Sequence, residues 1–263
     1  MPDLTHPFSW NGTEFVPSTG VPVTDRGFRY GMALFESLAI RGGRVEFLPE
    51  HLDRIGAACV RCGWPVEPRV LERAGEWLQQ NPGPAFARIY VTAGDGDPLA
   101  PVDSPRVFVF TEPRSIPALK TCRLTVAPEP FSEVFAGLKT ANYWGRLSCL
   151  SRARSLEFDE ALLCSPSGEL ISACMANCFV VMDSKLVTPP ASCGARPGVV
   201  RDWVIRQHGA SEQTITRDDM ARVTECFLTS SWLGVTPAAA LDARPLGTDL
   251  GEKLQAKFRS GAF

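Results

Sequence analysis

Short runs of strand-type residues, present in both halves of the chain, most limit how this sequence can fold. Each run is about four to seven residues long and is rich in β-branched, aromatic or other apolar side chains, which is typical of strands. The first half holds Ala87–Thr92 and Arg106–Thr111, and the second holds Cys122–Ala127, Glu160–Cys164, Glu169–Ile171, Cys178–Met182, Lys185–Thr188 and Glu225–Thr229. The second half is therefore predicted to be rich in β-structure.

Segments with helical periodicity alternate with these strands. Helices are predicted at Pro49–Cys62, Pro68–Gln80, Gly145–Phe158 and Gly198–His208, with a short helix at Arg217–Val223. In the segment Gly145–Phe158, the apolar residues Leu147, Leu150 and Ala153 are expected to face inward. The run Gly31–Ile40 fits a helix or a buried strand equally well.

Turn residues mark the connections and one domain boundary. Arg41–Arg44 contains two glycines and Asp183-Ser184 separates two strands, so both are predicted as tight turns. Glu112–Pro117 contains two prolines and no clear period, which indicates a linker. The predicted fold class is α+β, with subdomains at residues 1–112 and 118–263.

Composition excludes several classes of protein. The formal charge of −2 and the absence of a basic run argue against a nucleic-acid or anionic-membrane surface. The N-terminus lacks the features of a signal peptide and no window is apolar enough to span a membrane, so a cytoplasmic location is expected. The nine cysteines are expected to be mostly small buried residues. With three histidines and no ligand spacing, no metal site is expected.

Four segments carry residues that suggest a chemistry. They are Asp25-Arg26-Gly27-Phe28-Arg29-Tyr30-Gly31 with Phe35-Glu36-Ser37, then His51-Leu52-Asp53-Arg54, then Leu138-Lys139-Thr140-Ala141-Asn142-Tyr143, and finally the stretch from Asp159 through Ala176-Asn177-Cys178-Phe179 to Arg196-Pro197-Gly198-Val199-Val200-Arg201. In this order and spacing they resemble the class IV aminotransferase family, also called the fold type IV enzymes of pyridoxal 5′-phosphate (PLP). This family includes branched-chain aminotransferases, D-amino acid transaminases and aminodeoxychorismate lyases.

The resemblance implies a fold, a cofactor and a set of site residues. It implies two α/β subdomains with PLP in the cleft between them, in a homodimer, with an amino acid or amino-bearing acid as substrate. Lys139 corresponds to the lysine that forms the Schiff base with PLP. The other implied cofactor contacts are Arg54, Tyr143, Ser172, Asn177, Val199, Val200 and Ser231, and the implied substrate contacts are Phe35, Ser37 and Arg88.

The residue types suit these roles on chemical grounds. A lysine can bond to an aldehyde only when its amine is deprotonated, and the released amine can then carry a proton to and from a substrate carbon. The planar fork of Arg54 suits a phosphate group. Gly198 precedes a predicted helix, and the free N–H groups at a helix start bind anions. Taken alone, however, Lys139 could be a solvated lysine and Tyr143 a core aromatic residue.

Three positions depart from the family pattern. Ser172 stands where the family has a glutamate that pairs with the pyridine nitrogen of PLP, and Glu169 lies an odd number of residues away, toward the other face of a strand. A serine hydroxyl supplies no negative charge, so the cofactor becomes a weaker electron sink. Met32 replaces a usual aspartate, and Ala93 lies where several relatives carry an arginine.

These observations leave three functions open. Ser172 and the short chain slightly favour a lyase similar to aminodeoxychorismate lyase, which releases pyruvate and 4-aminobenzoate. The first alternative is an aminotransferase for D-amino or branched-chain acids, with the same fold, lysine and phosphate contacts. The second alternative is a scaffold that has lost catalysis and now serves as a binding protein, as the departures at Met32, Ala93 and Ser172 would allow.

Overall fold

Two sheets organise the chain in the computed structural model, which describes residues 6–82, 86–114 and 121–261. The chain divides into two units. The first comprises Met1–Ile116 together with Leu138–Asn142, and the second comprises Pro117–Gly137 together with Tyr143–Phe263. The mixture of helices and strands predicted from the sequence is confirmed.

The first unit is built on a six-stranded sheet. Its elements are β1 (Phe8–Trp10), β2 (Phe15–Pro17), α1 (Arg26–Tyr30), β3 (Ala33–Arg41), β4 (Arg44–Val45), α2 (Leu48–Arg61), α3 (Pro68–Gln80), β5 (Phe86–Thr92) and β6 (Arg106–Glu112). The strand order is β2-β1-β6-β5-β3-β4, and all neighbours are antiparallel. The apolar faces of α2 and α3 pack into the same core as the sheet, which satisfies their helical periodicity.

The ambiguous run at Gly31–Ile40 is mainly strand. Gly31 ends the short helix α1 in a left-handed conformation with φ of 69°, and β3 begins two residues later. A Cβ at Gly31 would lie 2.2 Å from Oδ1 of Asn142, so only glycine fits there. The predicted hairpin is confirmed: Gly42 and Gly43, with φ of 56° and 74°, join β3 to β4.

The second unit is built on a nine-stranded sheet. Its strands are β7 (Cys122–Val126), β8 (Glu160–Cys164), β9 (Leu170–Ala173), β10 (Asn177–Met182), β11 (Lys185–Thr188), β12 (Ser211–Glu212), β13 (Val223–Ser230), β14 (Gly234–Leu241) and β15 (Arg244–Pro245). Its α-helices are α4 (Trp144–Ser155), α5 (Val199–His208) and α6 (Asp249–Arg259). The strand order is β12-β11-β10-β13-β14-β7-β8-β9, with β15 beside β14.

Most of the predicted elements of this half are found within one or two residues of their predicted bounds. The turn at Asp183-Ser184 is confirmed, with φ of 51° and 60°. The short helix predicted at Arg217–Val223 is a 3₁₀ helix at Asp218–Arg222. The sequence reading did not identify β14 or α6.

The inward face predicted for α4 was partly wrong. Leu150 and Ala153 are buried as expected, but the side chain of Leu147 is 47% exposed. Its neighbour Arg146 is buried instead, with only 2% of its surface exposed. Periodicity considers apolar residues only, whereas a charged side chain can be buried when its hydrogen-bonding groups all find partners.

The segment that carries Lys139 belongs to the first unit, although it lies within the predicted subdomain 118–263. The N–H of Phe35 donates to the carbonyl of Lys139 at 2.9 Å, and the N–H of Ala141 donates to the carbonyl of Ala33 at 2.8 Å. Leu138 is buried in the core of the first unit. These backbone contacts with β3 hold the segment, and a reading based on sequence order does not reveal them.

Some expectations concern residues outside the described ranges. The predicted linker at Glu112–Pro117 lies partly there, as does the start of the predicted subdomain 118–263. Within the described ranges, no helix has the length and apolar character needed to cross a bilayer. In that same part of the chain, no group of three or more His, Cys, Asp or Glu side chains could hold a metal ion.

Candidate active site

Lys139 is positioned by its backbone and by an aromatic ring. Its carbonyl is bonded to the N–H of Phe35 on β3, and its Nζ lies 4.5 Å from the centre of the Phe35 ring. The lysine is partly buried, and Gly137 precedes it with φ of 81°. An ammonium group against an aromatic face is held by a cation–π attraction. The amine is therefore kept beside β3.

A buried carboxylate holds Arg54 in place. Oε1 of Glu36 accepts from Nε of Arg54 at 2.7 Å, and Oε2 accepts from Nη2 at 2.5 Å. Nδ1 of His51 lies 2.7 Å from Oε2 of the same carboxylate. Burial alone would raise the pKa of Glu36, but Arg54 and His51 outweigh it and hold this pKa below its usual value. Nε and Nη2 of Arg54 are therefore both bonded to Glu36.

Glu36 and His51 belong to the motif segments, but the sequence alone assigns neither residue a role. Their positions could have suggested a role, because Glu36 lies beside the predicted substrate contact Phe35 on β3 and His51 lies one helical turn before Arg54 on α2. Burial lowers the pKa of His51, and the charges of Arg54 and Lys139 lower it further. We therefore assign both residues to the support of Arg54.

The three residues predicted to contact substrate lie together. Phe35 and Ser37 are two residues apart on β3 and so face the same side of the sheet. Arg88 on β5 pairs with Ser37 across the two strands, and its Nη1 donates to Ser37 Oγ at 3.3 Å. The guanidinium carbon of Arg88 lies 5.4 Å from the centre of the Phe35 ring. This face of the first unit presents two cations, Arg88 and Lys139, around one aromatic ring.

In the second unit, the start of α5 has the geometry of an anion cradle. Gly198 precedes the helix without a side-chain cap, and Val199 and Val200 are buried in its first turn. The first N–H groups of a helix have no partner within the helix, and the helix dipole favours a negative charge there. A Cβ at Gly198 would lie 2.1 Å from Oδ1 of Asn177, so the close approach of this strand requires glycine.

Asn177 fixes this helix start from β10. Its Nδ2 donates to the carbonyl of Arg196 at 2.9 Å. Asn177 pairs with Thr229 on β13, and Oγ1 of Thr229 is buried without a hydrogen-bond partner among the described residues. A buried hydroxyl is normally bonded, so an orphaned one beside an anion cradle fits a bound ligand. Ser231, the predicted phosphate contact, lies partly buried in the turn two residues later.

Tyr143 and Ser172 are joined through two arginines and one glutamate that the sequence reading gave no role. Arg146, three residues after Tyr143, donates from Nη1 to Ser172 Oγ at 3.0 Å. Its Nε and Nη2 donate to the two oxygens of Glu133 at 2.8 and 2.9 Å. Arg196 donates to the hydroxyl of Tyr143 and reaches Glu133 at 3.4 Å. Glu133 therefore links the surroundings of Ser172 to those of Tyr143.

This Glu133 network carries more positive than negative charge. Burial alone would raise the pKa of Glu133, but Arg146 and Arg196 lower it, so its carboxylate is ionised. Burial lowers the pKa of Arg196, and Arg146 lowers it further. Nε of Arg196 is buried without a hydrogen-bond partner among the described residues. Two guanidinium groups thus face one carboxylate, an arrangement that suits a further anionic or electron-rich group.

Comparison with known proteins identifies a family and a fold. The class IV aminotransferase family model matches residues 33–241. An aminodeoxychorismate lyase of Vibrio harveyi is 26% identical over 248 residues, covering 87% of this chain and 90% of that protein. The structure of 4-amino-4-deoxychorismate lyase from Pseudomonas aeruginosa aligns with a TM-score of 0.81 and 28% identity, covering 96% of this chain and 98% of the other.

A second group of similar structures consists of aminotransferases. The branched-chain amino acid aminotransferase from Escherichia coli aligns with a TM-score of 0.84 and 22% identity, covering 97% of this chain and 93% of the other. Another aminotransferase structure of this group was solved with pyridoxamine 5′-phosphate. The two sheets and their helices are therefore the fold of the fold type IV PLP enzymes, as the sequence resemblance implied. Because the family model covers most of its length, the chain belongs to the class IV aminotransferase family of PLP-dependent enzymes.

Proposed function

We propose that this protein is a PLP-dependent lyase similar to aminodeoxychorismate lyase, with Lys139 as its catalytic residue. Its substrate would be an amino-bearing acid from which pyruvate is released, leaving 4-aminobenzoate. The observation that carries this choice is the partner of Ser172, which is the guanidinium of Arg146. An aminotransferase for D-amino or branched-chain acids is the alternative, since relatives of both kinds match this chain.

The residues present fit the cofactor. The N–H groups of Val199 and Val200, at the uncapped start of α5, would hold its phosphate, with Ser231 and Arg54 as further donors. The orphaned hydroxyl of Thr229 fits an oxygen-rich ligand beside this helix start. Tyr143, Ser172 and Asn177 complete the proposed set. PLP, when bound to Lys139, supplies an electron sink for the bonds at the amino-bearing carbon of a substrate.

Lys139 would also move the proton. Its Nζ lies beside the Phe35 ring, on the face that also carries Ser37 and Arg88. An amine there could carry a proton to and from the substrate carbon. The Phe35 ring keeps the amine from swinging away. Arg88 would receive a substrate carboxylate, since its fork is directed along the same face by Ser37.

Ser172 favours elimination over amino transfer. A carboxylate at this position would hold a proton on the ring nitrogen and strengthen the electron sink, whereas a serine with an arginine behind it supplies no negative charge. Amino transfer stores the electrons on the cofactor. Elimination passes them to a leaving group, so it depends less on the strength of the sink.

The first test is an absorbance spectrum after incubation with PLP, for the parent protein and for Lys139→Ala. A visible band in the parent that is absent from Lys139→Ala supports the proposed cofactor link. Lys185→Ala, which changes an exposed lysine on β11, is the matched control and should keep the band. No band in the parent would instead support a scaffold that has lost PLP and serves as a binding protein.

The second test separates the two reactions. The holoenzyme is given aminodeoxychorismate without any 2-oxo acid, and pyruvate and 4-aminobenzoate are measured. It is then given D-alanine or leucine together with a 2-oxo acid, and amino transfer is measured. Pyruvate release alone supports the lyase, whereas amino transfer alone would replace it with the aminotransferase.

We also propose that the protein is a homodimer. Four apolar side chains of the second unit lie on its surface: Trp144 and Leu147 on α4, and Val134 and Phe135 in the preceding loop. Trp144 is 85% exposed and Val134 is 94% exposed. Exposed large apolar side chains often mark a contact surface. A second copy of this chain is the occupant we propose.

A further inference from the structure

The hydroxyl of Ser172 accepts a hydrogen bond from an arginine side chain. Within the described residues, the only hydrogen bond to its Oγ comes from Nη1 of Arg146, at 3.0 Å. A guanidinium can only donate, so Ser172 Oγ must be the acceptor. The hydrogen of the hydroxyl is therefore left for a second partner. Both side chains are buried, with 4% of Ser172 and 2% of Arg146 exposed.

Arg146 cannot easily turn away from this role. Its Nε and Nη2 are bonded to both oxygens of Glu133, and its Nη1 also donates to the carbonyls of Ala173 and Cys174 at 3.1 and 3.3 Å. The guanidinium plane is packed 4.9 Å from the centre of the Phe131 ring. A bidentate ion pair with this many added bonds has a single orientation.

We propose that Arg146 is a positioning residue which makes Ser172 a fixed hydrogen-bond donor to the ring nitrogen of PLP and keeps that nitrogen unprotonated. The proposal rests on the proposed function, which brings the ring nitrogen to Ser172. Two effects act in the same direction. A hydroxyl that already accepts from arginine offers the nitrogen a hydrogen to accept, and a nearby positive charge disfavours a second positive charge on the ring.

The charged and titratable groups around Ser172 support this assignment. Arg146 on α4 and Arg196 before α5 are cations, and Glu133 between them is the anion that they share. Glu160 on β8 is turned to the backbone, since its oxygens accept from the N–H groups of Cys174 and Met175 at 3.1 Å each. Burial raises the pKa of Glu160, and the backbone N–H groups that it accepts from oppose this shift, so its negative charge is directed to the backbone rather than to Ser172. Other titratable groups nearby, among the described residues, are Tyr143 and the thiols of Cys149 and Cys174.

A chain of hydrogen bonds in the second unit links Ser172 to the predicted cofactor residues. Glu133 bonds Arg146 and Arg196; Arg196 bonds Tyr143, and its carbonyl accepts from Asn177. The proposed ring contact and the proposed phosphate cradle thus belong to one hydrogen-bonded set. The feature that departs most from the family pattern is therefore supported by its own partner, which argues against simple decay of the site.

The test is ¹⁵N NMR of PLP labelled at its ring nitrogen and bound to the protein, recorded between pH 6 and 9. The parent should show the resonance of an unprotonated, hydrogen-bonded pyridine throughout. In Arg146→Gln the resonance should move toward pyridinium as the pH falls. Arg152→Gln, which changes an exposed arginine on the same helix, should match the parent.

Ser172→Ala provides a second measurement that leaves the ion pair with Glu133 intact. Its resonance should move to that of a pyridine without a hydrogen bond. A pyridinium resonance in the parent at pH 7, or no shift in Ser172→Ala, would overturn the inference while PLP binding stands. If the parent shows no visible band after incubation with PLP, the proposed function itself is wrong.

Discussion

Replacing Gly198 by alanine should damage the second unit at one defined point. The added Cβ would lie 2.1 Å from Oδ1 of Asn177, far inside any contact that atoms tolerate. The backbone of Gly198 has φ of −79° and ψ of 137°, which alanine adopts freely, so the effect is steric rather than conformational. Asn177 must move, and its bond to the carbonyl of Arg196 must lengthen or break.

The expected cost has two parts. Leaving a buried hydrogen-bonding group unsatisfied costs about 1–3 kcal/mol. Overpacking a tight contact costs about another 1–3 kcal/mol. The reduced freedom of the unfolded chain with alanine offsets about 0.4–1 kcal/mol. The net loss is about 1–5.6 kcal/mol, and its central value of about 3 kcal/mol lowers the Tm by roughly 6–12 °C for a chain of this size.

Thermal unfolding followed by circular dichroism measures this loss, and PLP titration of the same samples measures the effect on the helix start. Gly56→Ala on α2 is the matched control, because its Cβ would lie 3.4 Å from Cδ1 of Leu71, an ordinary contact. Its higher helix propensity should leave the Tm unchanged or slightly raised. If Gly198→Ala melts with Gly56→Ala and binds PLP like the parent, the close approach of Asn177 has no energetic importance.

Three further outcomes are expected. Glu36→Gln should destabilise the protein by about 3 kcal/mol in urea unfolding, because the partly buried charge of Arg54 loses its buried partner. The pKa of Glu36 is held below its ordinary value of 4.5, so the stability that it contributes is present above that pH and is lost as the pH falls. This loss of stability in acid should be smaller in Glu36→Gln. An unchanged dependence of the unfolding free energy on pH would exclude the carboxylate as its source. Burial raises the pKa of Cys178 to about 12, so it should react with a thiol reagent at pH 8 only after unfolding, as peptide mapping of the labelled protein would show. Trp144→Glu should convert a dimer to a monomer in light scattering, whereas Val60→Glu on the exposed face of α2 should not, and identical masses for both variants would place the dimer contact elsewhere.

Local features of the fold were predictable from the sequence because they depend on neighbours in the chain. The glycine pair at Gly42 and Gly43 specifies a hairpin by its backbone freedom, and the spacing of Ile55 and Cys59 specifies the buried face of α2. In each case the energetic cause lies within a few residues.

Features that depend on distant partners were missed. Nothing around Arg146 shows that it is buried, because the carboxylate that makes burial tolerable belongs to Glu133 in a preceding loop. Leu147, next to it, is left largely exposed, which apolar periodicity does not predict. The helix α6 was missed although Leu250, Leu254 and Phe258 recur at helical spacing; the glycine in its first turn, Gly251, depends on a distant contact. A Cβ there would lie 2.9 Å from Cβ of Pro237, a contact that only the folded structure reveals.

The residues of the candidate site also fall into those suggested by local sequence and those that only the structure reveals. Lys139, Arg54 and the Gly198 helix start could be proposed from the sequence because each belongs to a recognisable segment. Glu36 and His51 were within reach of that reasoning, and only the structure shows that Glu36 bonds Arg54. Thr229 could not be selected from the sequence, because its signal is an unpaired hydroxyl in a folded environment.

The placement of Leu138–Asn142 with the first unit has a consequence for how the chain can be divided. Because the residues on both sides of this segment belong to the second unit, no single cut separates the two units. A fragment starting at Pro117 would keep Lys139 but lose β3, the strand whose carbonyl and N–H groups hold it. The bridge between Leu34 and Thr140 closes a loop of roughly a hundred residues, an entropic cost that the whole chain must meet before the lysine is in place. The position of Lys139 beside β3 therefore depends on both halves of the chain.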